Sequence, residues 1–423
     1  MKEDFLHYLW RFKKFETRNL RTTQNEQVTI IKTGDYLELA GPDFFNAQIK
    51  IGEQKWAGNV EIHLKSSDWY VHGHERDMAY DNVILHVVWE HDTEIFRENN
   101  TEIPVLVLKD HVSSEILNNY HALITPKAWI SCEKQIAQID EFVFKHWQER
   151  LFFERLERKS RFIYDLLQET NQDWEAVLFC LLAKNFGLNT NGNSFLQIAK
   201  SIPFSIIRKE SFEVENLEAL LLGTSGLLDF EKEDVYFKDL KIRYFYLLHK
   251  YQLDRVYTDP VEFFKHRPDN FPTIRLSQLA SLYNKHQNLF SKIIDLKAVK
   301  DVYKLLDVSA SVYWQNHYQF DKESPKKSKP LSKSFVDLLI LNTIIPIQFA
   351  YSHIMGESNS ENLIEIMSAV APEKNSIIDK FESFGISSKN AFDTQSLLQL
   401  KNEYCNHKAC LKCALGMELI KNN

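Results

Sequence analysis

Gly58-Asn59-Val60-Glu61-Ile62-His63-Leu64-Lys65 decides how the first third of this chain folds. Side chains alternate across a strand, so Val60, Ile62 and Leu64 share one face, and Glu61, His63 and Lys65 share the other. The alternation predicts a half-buried strand with Glu61 and His63 accessible. Upstream, Gly41-Pro42-Asp43-Phe44-Phe45 leads into a second apolar run ending at Ile51, and Gly52-Glu53-Gln54 supplies a turn. A hairpin that folds 45–51 against 57–65 brings Asp43 near the level of Glu61. Asp43 shares parity with Ile49 and Ile51, so a bend at Pro42 or a β-bulge must rotate it onto the polar face. A carboxylate pair can hold a divalent cation while a nearby base or cation manages an attacking water. The wet face of any antiparallel strand shows the same alternation, and that is the structural alternative.

Outward from this hairpin, strand patterns recur at 28–31, 36–39, 83–89 and 103–108. Val83 to Trp89 is apolar apart from His86, as expected of a central strand covered on both faces. Helices are expected at 3–14 and 112–122. The first is amphipathic, with Phe5, Leu6, Leu9, Trp10 and Phe12 as its apolar residues. From about residue 140 strand patterns nearly vanish. Helical periodicity covers 141–168, 173–186, 214–222, 237–251, 275–284, 334–350 and 389–404. The expected organisation is an α/β (α+β) domain over 1–135 and an all-α domain over 136–423 that ends in a Cys-rich segment. Lys322 to Lys333, with five Lys, three Ser and two Pro, reads as an exposed basic loop.

A length of 423 residues suits two or three domains, and 44% apolar residues supply their cores. A net charge of −7 does not announce a nucleic-acid binder, although a local positive groove can exist on an acidic protein. The N-terminal helix carries charges through its apolar run and does not read as a signal peptide. No stretch of about 18 uninterrupted apolar residues occurs, so no membrane span is expected. Five cysteines without an export signal point to a reducing, cytoplasmic setting.

Three further constellations carry chemistry. His72-Gly73-His74, with Asp77 and Tyr80 following, lies between His63 and His86, and five of the fifteen histidines fall within 63–91. That density suits a transition-metal site or an acid for a leaving oxygen, against the alternative of a polar turn beside a core histidine. Cys405, Cys410 and Cys413 suit a zinc or iron–sulfur site that needs a fourth ligand, with His407 or Cys132 as candidates. The alternative is the apolar face of a last helix. Arg267 and Arg275 flank an Asn-Phe-Pro turn and could bind a phosphate, or tie a loop to a helix end.

Asp43 after a proline, with Glu61 on a following apolar strand, resembles the signature of the PD-(D/E)XK nuclease superfamily. The resemblance covers about residues 28–90. It implies a restriction-endonuclease-like fold, with Asp43 and Glu61 on Mg²⁺ and a lysine two residues beyond Glu61 assisting water. Here that position is His63, and Lys65 follows two further on. Some nucleases of that superfamily have an iron–sulfur staple combining one distant cysteine with a terminal cluster of three. The whole chain also resembles a bacterial family known as a domain of unknown function, through GPDFFNAQI (41–49), GNVEIHLKSSDW (58–69), HGHERDMAYDNVILHVVW (72–89), RPDNFPTIRLSQLA (267–280) and YCNHKACLKCALG (404–416). The leading expectation is a Mg²⁺-dependent nuclease or related phosphodiesterase acting on nucleic acid. Asp43 and Glu61 would hold the metal, Lys65 or His63 would orient water, and His72 or His74 would aid the leaving group. The alternatives are a non-catalytic protein that engages a partner through its helical domain, and a transition-metal hydrolase built on the histidines.

Overall fold

The computed structural model describes residues 1–36, 41–124, 128–255, 258–264 and 266–421, and for Ile124 the backbone alone. The strand expected at 36–39 lies outside the described residues beyond Tyr36. The chain forms two compact units. The first comprises 1–147, 384–386 and 400–423, and the second comprises 148–383 and 387–399. The Cys-rich tail, expected to close the helical domain, therefore belongs with the N-terminal unit.

The first unit is built on a mixed sheet. Its strands are β1 (Val28–Lys32), β2 (Asp35–Tyr36), β3 (Phe44–Ile51), β4 (Gln54–Lys65), β5 (Val83–Glu90) and β6 (Val105–Val107). Their order is β1-β3-β4-β5-β6, with β2 added to β3. β3 and β4 are the expected antiparallel hairpin, while β4, β5 and β6 run parallel. Helix α1 (Glu3–Phe12) buries Phe5, Leu6, Leu9 and Trp10 against Ile49, Val60, Ile62, Leu85 and Val87. Phe12 stays 42% exposed, because the helix ends there in a left-handed Lys13. After β4 comes the short helix α2 (Asp68–Val71), and after β6 comes α3 (Ser114–Ile124). The opposite face of the sheet is covered by Trp69 and Tyr80 with Val88, Ile95, Ile103 and Val105. β5 is thus buried on both faces, as its apolar run predicts.

Two irregularities position the site. Phe44 pairs with Val60 and Ala47 with Gly58, so β3 carries one extra residue. Asn46 takes a left-handed φ of 53° in this bulge, and its amide donates to Asn59 Oδ1. The extra residue reverses the parity of what precedes it, which frees Asp43 from the face of Ile49 and Ile51. The second irregularity is a mismatch of ladder lengths. β4 pairs with β3 only as far as Val60, but with β5 as far as Lys65. Beyond Val60 one edge of β4 is left to side chains.

The second unit is helical except for a two-stranded antiparallel hairpin, His317–Gln319 with Lys322–Glu323, where the sequence suggests only helices and a loop. It includes most of α4 (Glu141–Glu169), then α5 (Trp174–Phe186), α6 (Leu188–Ser201), α7 (Phe204–Glu210), α8 (Val214–Thr224), α9 (Val235–Tyr251) and α10 (Pro272–Lys285). Glu218 of α8, fully buried, accepts from Tyr236 Oη of α9 at 2.7 Å, Ser277 Oγ of α10 at 2.5 Å and Trp314 Nε1 at 3.1 Å. One carboxylate therefore ties three helices together, and its donors are what make its burial tolerable. Lys333–Met355 is one helical run with a π turn at Ile340–Ile344 just before Pro346, where the wider turn absorbs the missing amide. This run is long and apolar enough to cross a membrane by composition, but 67% of its most apolar window is buried within the protein.

Candidate functional site

The carboxylates of Asp43 and Glu61 are each held by a backbone amide of the facing segment. The Asp43 amide donates to Glu61 Oε2 at 3.1 Å, and the Ile62 amide donates to Asp43 Oδ2 at 3.0 Å. The carboxylate thus takes the β4 amide that β3 no longer reaches. Both acids meet at the open edge of β4, as the hairpin argument requires. Their accessibility differs from the expectation. Glu61 is 4% exposed and His63 1% exposed, because the segment 68–80 folds back over the polar face. Trp69 lies edge-on to His74 and His86, and Tyr80 stacks on His74 with ring centroids 3.8 Å apart. Lys65 is exposed at the strand end, where its amide donates to Asp68 Oδ2.

The histidines converge. His63 Nδ1 is 2.8 Å from His86 Nε2, and His63 Nε2 is 3.0 Å from His72 Nδ1. Gly73, at φ 73°, makes the left-handed turn that sets His72 and His74 on either side of it. Donor atoms of His63, His72 and His74 all lie within 4.8 Å of one another. Glu61 Oε1 lies 3.5 Å from His63 Nε2 and 3.4 Å from His74 Nε2, and that His74 nitrogen is buried without a hydrogen bond. Two donors bound at about 2.1 Å to a tetrahedral ion stand roughly 3.4 Å apart. The spacing between carboxylate and imidazoles is therefore one that a cation between them would produce.

Helix α1 adds two residues that the sequence reading missed. His7 Nε2 stands 3.1 Å from Asp43 Oδ2, close enough to pair but not aligned as a hydrogen bond. Glu3 Oε1 stands 3.9 Å from His63 Nε2. The available signal was their spacing of four, which puts both on one helix face.

Burial dominates the electrostatics. It pushes Glu61 up to about 9, with the Asp43 charge adding to the effect. Burial, opposed by His7 and reinforced by Asp43 and Glu61, lifts Glu3 to about 7. Burial and the neighbouring imidazoles hold His63 down at about 2 and His86 at about 3, so both are neutral. His74 is also pushed down by burial. For His7 the Asp43 carboxylate outweighs burial and the pKa rises. Three acids crowd together with the imidazoles of His63, His74 and His86, which burial holds in the neutral form, and His7 is the one imidazole whose charged form is favoured. Oxygen and nitrogen donors of this kind suit a divalent ion.

A family model described as Protein of unknown function (DUF2851) matches residues 3–376. The chain belongs to this DUF2851 family. Comparison with curated proteins and with solved structures finds no match. Every residue of the carboxylate–imidazole cluster falls within the DUF2851 match, whereas Cys405, Cys410 and Cys413 lie beyond it.

The remaining candidates of this DUF2851 chain fall elsewhere. Arg275 is 4% exposed, and its guanidinium donates to Gln278 Oε1 at 2.8 Å and Asn270 Oδ1 at 2.6 Å while lying 3.5 Å over the Phe335 ring. Burial lowers it to about 10. Arg267 is exposed, so the pair makes no shared phosphate clamp. Arg275 plays the structural part, joining a turn to a helix. The basic loop is also partly committed. Lys327 pairs with Asp269 at 3.0 Å, and buried Lys329 donates to the carbonyls of Gln315 and His317 at 3.2 and 3.1 Å. Cys132, Cys405, Cys410 and Cys413 line one small cavity, while His407 is exposed.

Proposed function

We propose that this DUF2851 protein is a metal-dependent hydrolase of phosphodiester bonds, a nuclease or close relative. Its centre would be formed by Asp43 and Glu61 with His63, His72 and His74. The observation that carries the reading is the convergence of two interlocked carboxylates and three imidazoles at the open edge of β4. The hairpin with its bulge, and the acid–x–histidine order on β4, support a restriction-endonuclease-like arrangement. Mixed nitrogen and oxygen donors favour a zinc- or manganese-type ion over Mg²⁺, which prefers oxygen and retains its waters.

A bound divalent ion would acidify a water and neutralise charge on the phosphoryl oxygens. The chain's own groups divide the remaining work. His63 is neutral and His86 holds its Nδ1, so its Nε2 suits ligation and not proton transfer. Glu3, held near 7, can accept the proton from water as the new P–O bond forms. His72 would serve as a ligand at the exposed rim, where the departing oxygen can take its proton from solvent. Lys65 lies at the strand end and is given no part.

The test is cleavage of single- and double-stranded DNA and RNA by the full chain with Mg²⁺, Mn²⁺ or Zn²⁺. Glu61→Gln should lower cleavage by about 100-fold or more with its circular dichroism unchanged. Absence of cleavage with every metal and substrate, or a fully active Glu61→Gln, overturns the reading.

A further inference from the structure

We propose that Cys132, Cys405, Cys410 and Cys413 form a four-thiolate cage for a soft metal centre, either an iron–sulfur cluster or zinc. None of the four belongs to the carboxylate–imidazole cluster, and the inference does not depend on the hydrolase reading.

Four of the five cysteines in the chain line a single small cavity, closed by Leu400, Tyr404 and Leu415. The fifth, Cys180, is buried in the helical unit. Random placement of apolar thiols does not gather residues from positions 132 and 405–413 around one point. The local backbone is shaped to present them. The amides of Gln135 and Ile136 both donate to the Cys132 carbonyl, at 2.9 and 2.8 Å, and close a turn behind that thiol. Lys408, at φ 52°, reverses the chain between Cys405 and Cys410, and the Ala409 amide closes that turn on the Tyr404 carbonyl at 2.9 Å. Cys410 and Cys413 are joined by a further turn, with the Cys413 amide 3.3 Å from the Cys410 carbonyl.

The amides of Leu415 and Gly416 interact with the Cys413 sulfur, and the Ser131 side chain is within hydrogen-bonding reach of Cys410. Amide donors around a sulfur are the outer support that a metal-bound thiolate needs. Gly416 packs so closely that a Cβ there would lie 2.2 Å from the Cys410 carbonyl oxygen, which fixes this corner of the cage. Cys132 takes the fourth position, and exposed His407 is not among the residues that line the cavity.

Four thiolates select zinc or iron–sulfur chemistry over hard cations.

The experiment uses full-length protein purified anaerobically without added metal. Iron, sulfide, zinc and visible absorbance are measured in the wild type and in Cys132→Ser, Cys413→Ser and Cys180→Ser variants. A His63→Ala/His74→Ala protein is included to separate this site from the histidines. The expected result is one cluster, or about one zinc, per chain. It should persist in the histidine variant and in Cys180→Ser, and fall at least tenfold in both cage variants. If a cage variant does not fold, thiol titration of wild type decides: four thiols should be protected until a chelator or acid releases the metal. Wild type with neither metal and freely reactive thiols overturns the proposal. So does a metal content unchanged in Cys132→Ser or lost only in the histidine variant.

Discussion

Glu61 is a carboxyl group held where its charge is unwelcome unless a cation accompanies it. An acid whose folded-state pKa stands above its unfolded value keeps its proton more tightly when folded. The metal-free chain should therefore lose stability as pH rises from the ordinary value of 4.5 towards about 9. Glu61→Gln should remove the part of this slope above about 7, where Glu3 no longer contributes, and at pH 8 without metal it should be more stable than wild type by on the order of a few kcal/mol. Thermal melts across pH check it, and parallel slopes would refute it. His63 and His86 behave oppositely. Their folded pKa values lie far below 6.5, so the unfolded chain binds protons more readily, and stability should fall as pH drops from 6.5 towards 3. His86→Phe, matched in shape and without charge, should flatten that acid limb in the same melts. The common face of Glu61 and His63 was legible from alternation alone. Their burial was not, because the cover comes from 68–80 folding back and from Glu3 and His7 arriving along another helix.

At the scale of elements, the bulge in β3 is what aligns Asp43. Asn46→Gly should be tolerated, whereas Asn46→Val should cost about 1–2 kcal/mol, since a β-branched side chain resists a positive φ. Gly58 is constrained by contact and not by φ. A Cβ there would meet Ile84 Cγ2 at 2.4 Å and the Asn82 carbonyl at 2.6 Å, where β4 passes the start of β5. Gly58→Ala should destabilise by about 1–3 kcal/mol in urea titration. An unaffected midpoint would mean that β5 moves aside freely. Long elements with unbroken periodicity, such as α4 and β5, were readable. α6 was not, because Leu188-Asn189-Thr190-Asn191-Gly192-Asn193 carries the residues of a loop. The buried Asn191 side chain accepts from the Glu262 amide at 2.7 Å and donates to the Glu262 carbonyl at 2.9 Å, so partners far along the chain override local propensity.

For the whole molecule, a change of fold class near residue 140 was visible as the loss of two-residue periodicity. The return of 400–423 to the first unit was not, since an amphipathic segment declares that it has an apolar face but not which core receives it. Ile420 joins the core of Phe5, Val60 and Leu85, and Asn119 Nδ2 lies 3.5 Å from the Ile420 carbonyl. Deleting 400–423 should therefore reduce hydrogen-exchange protection in α1, α3 and the sheet by at least tenfold while α5 to α10 keep theirs. Equal loss in both units, or none in the first, would contradict the division.

The discontinuity of the first unit also has a meaning in time. Trp147 and Leu400 bracket about 250 residues that fold into a different body. At about 5–20 residues per second a ribosome takes roughly 13–50 s to cross that interval. Throughout that delay the nascent sheet exists without the segment that completes its core. The cell must shield its apolar face from other chains, or synthesise the helical unit quickly enough that the wait is harmless.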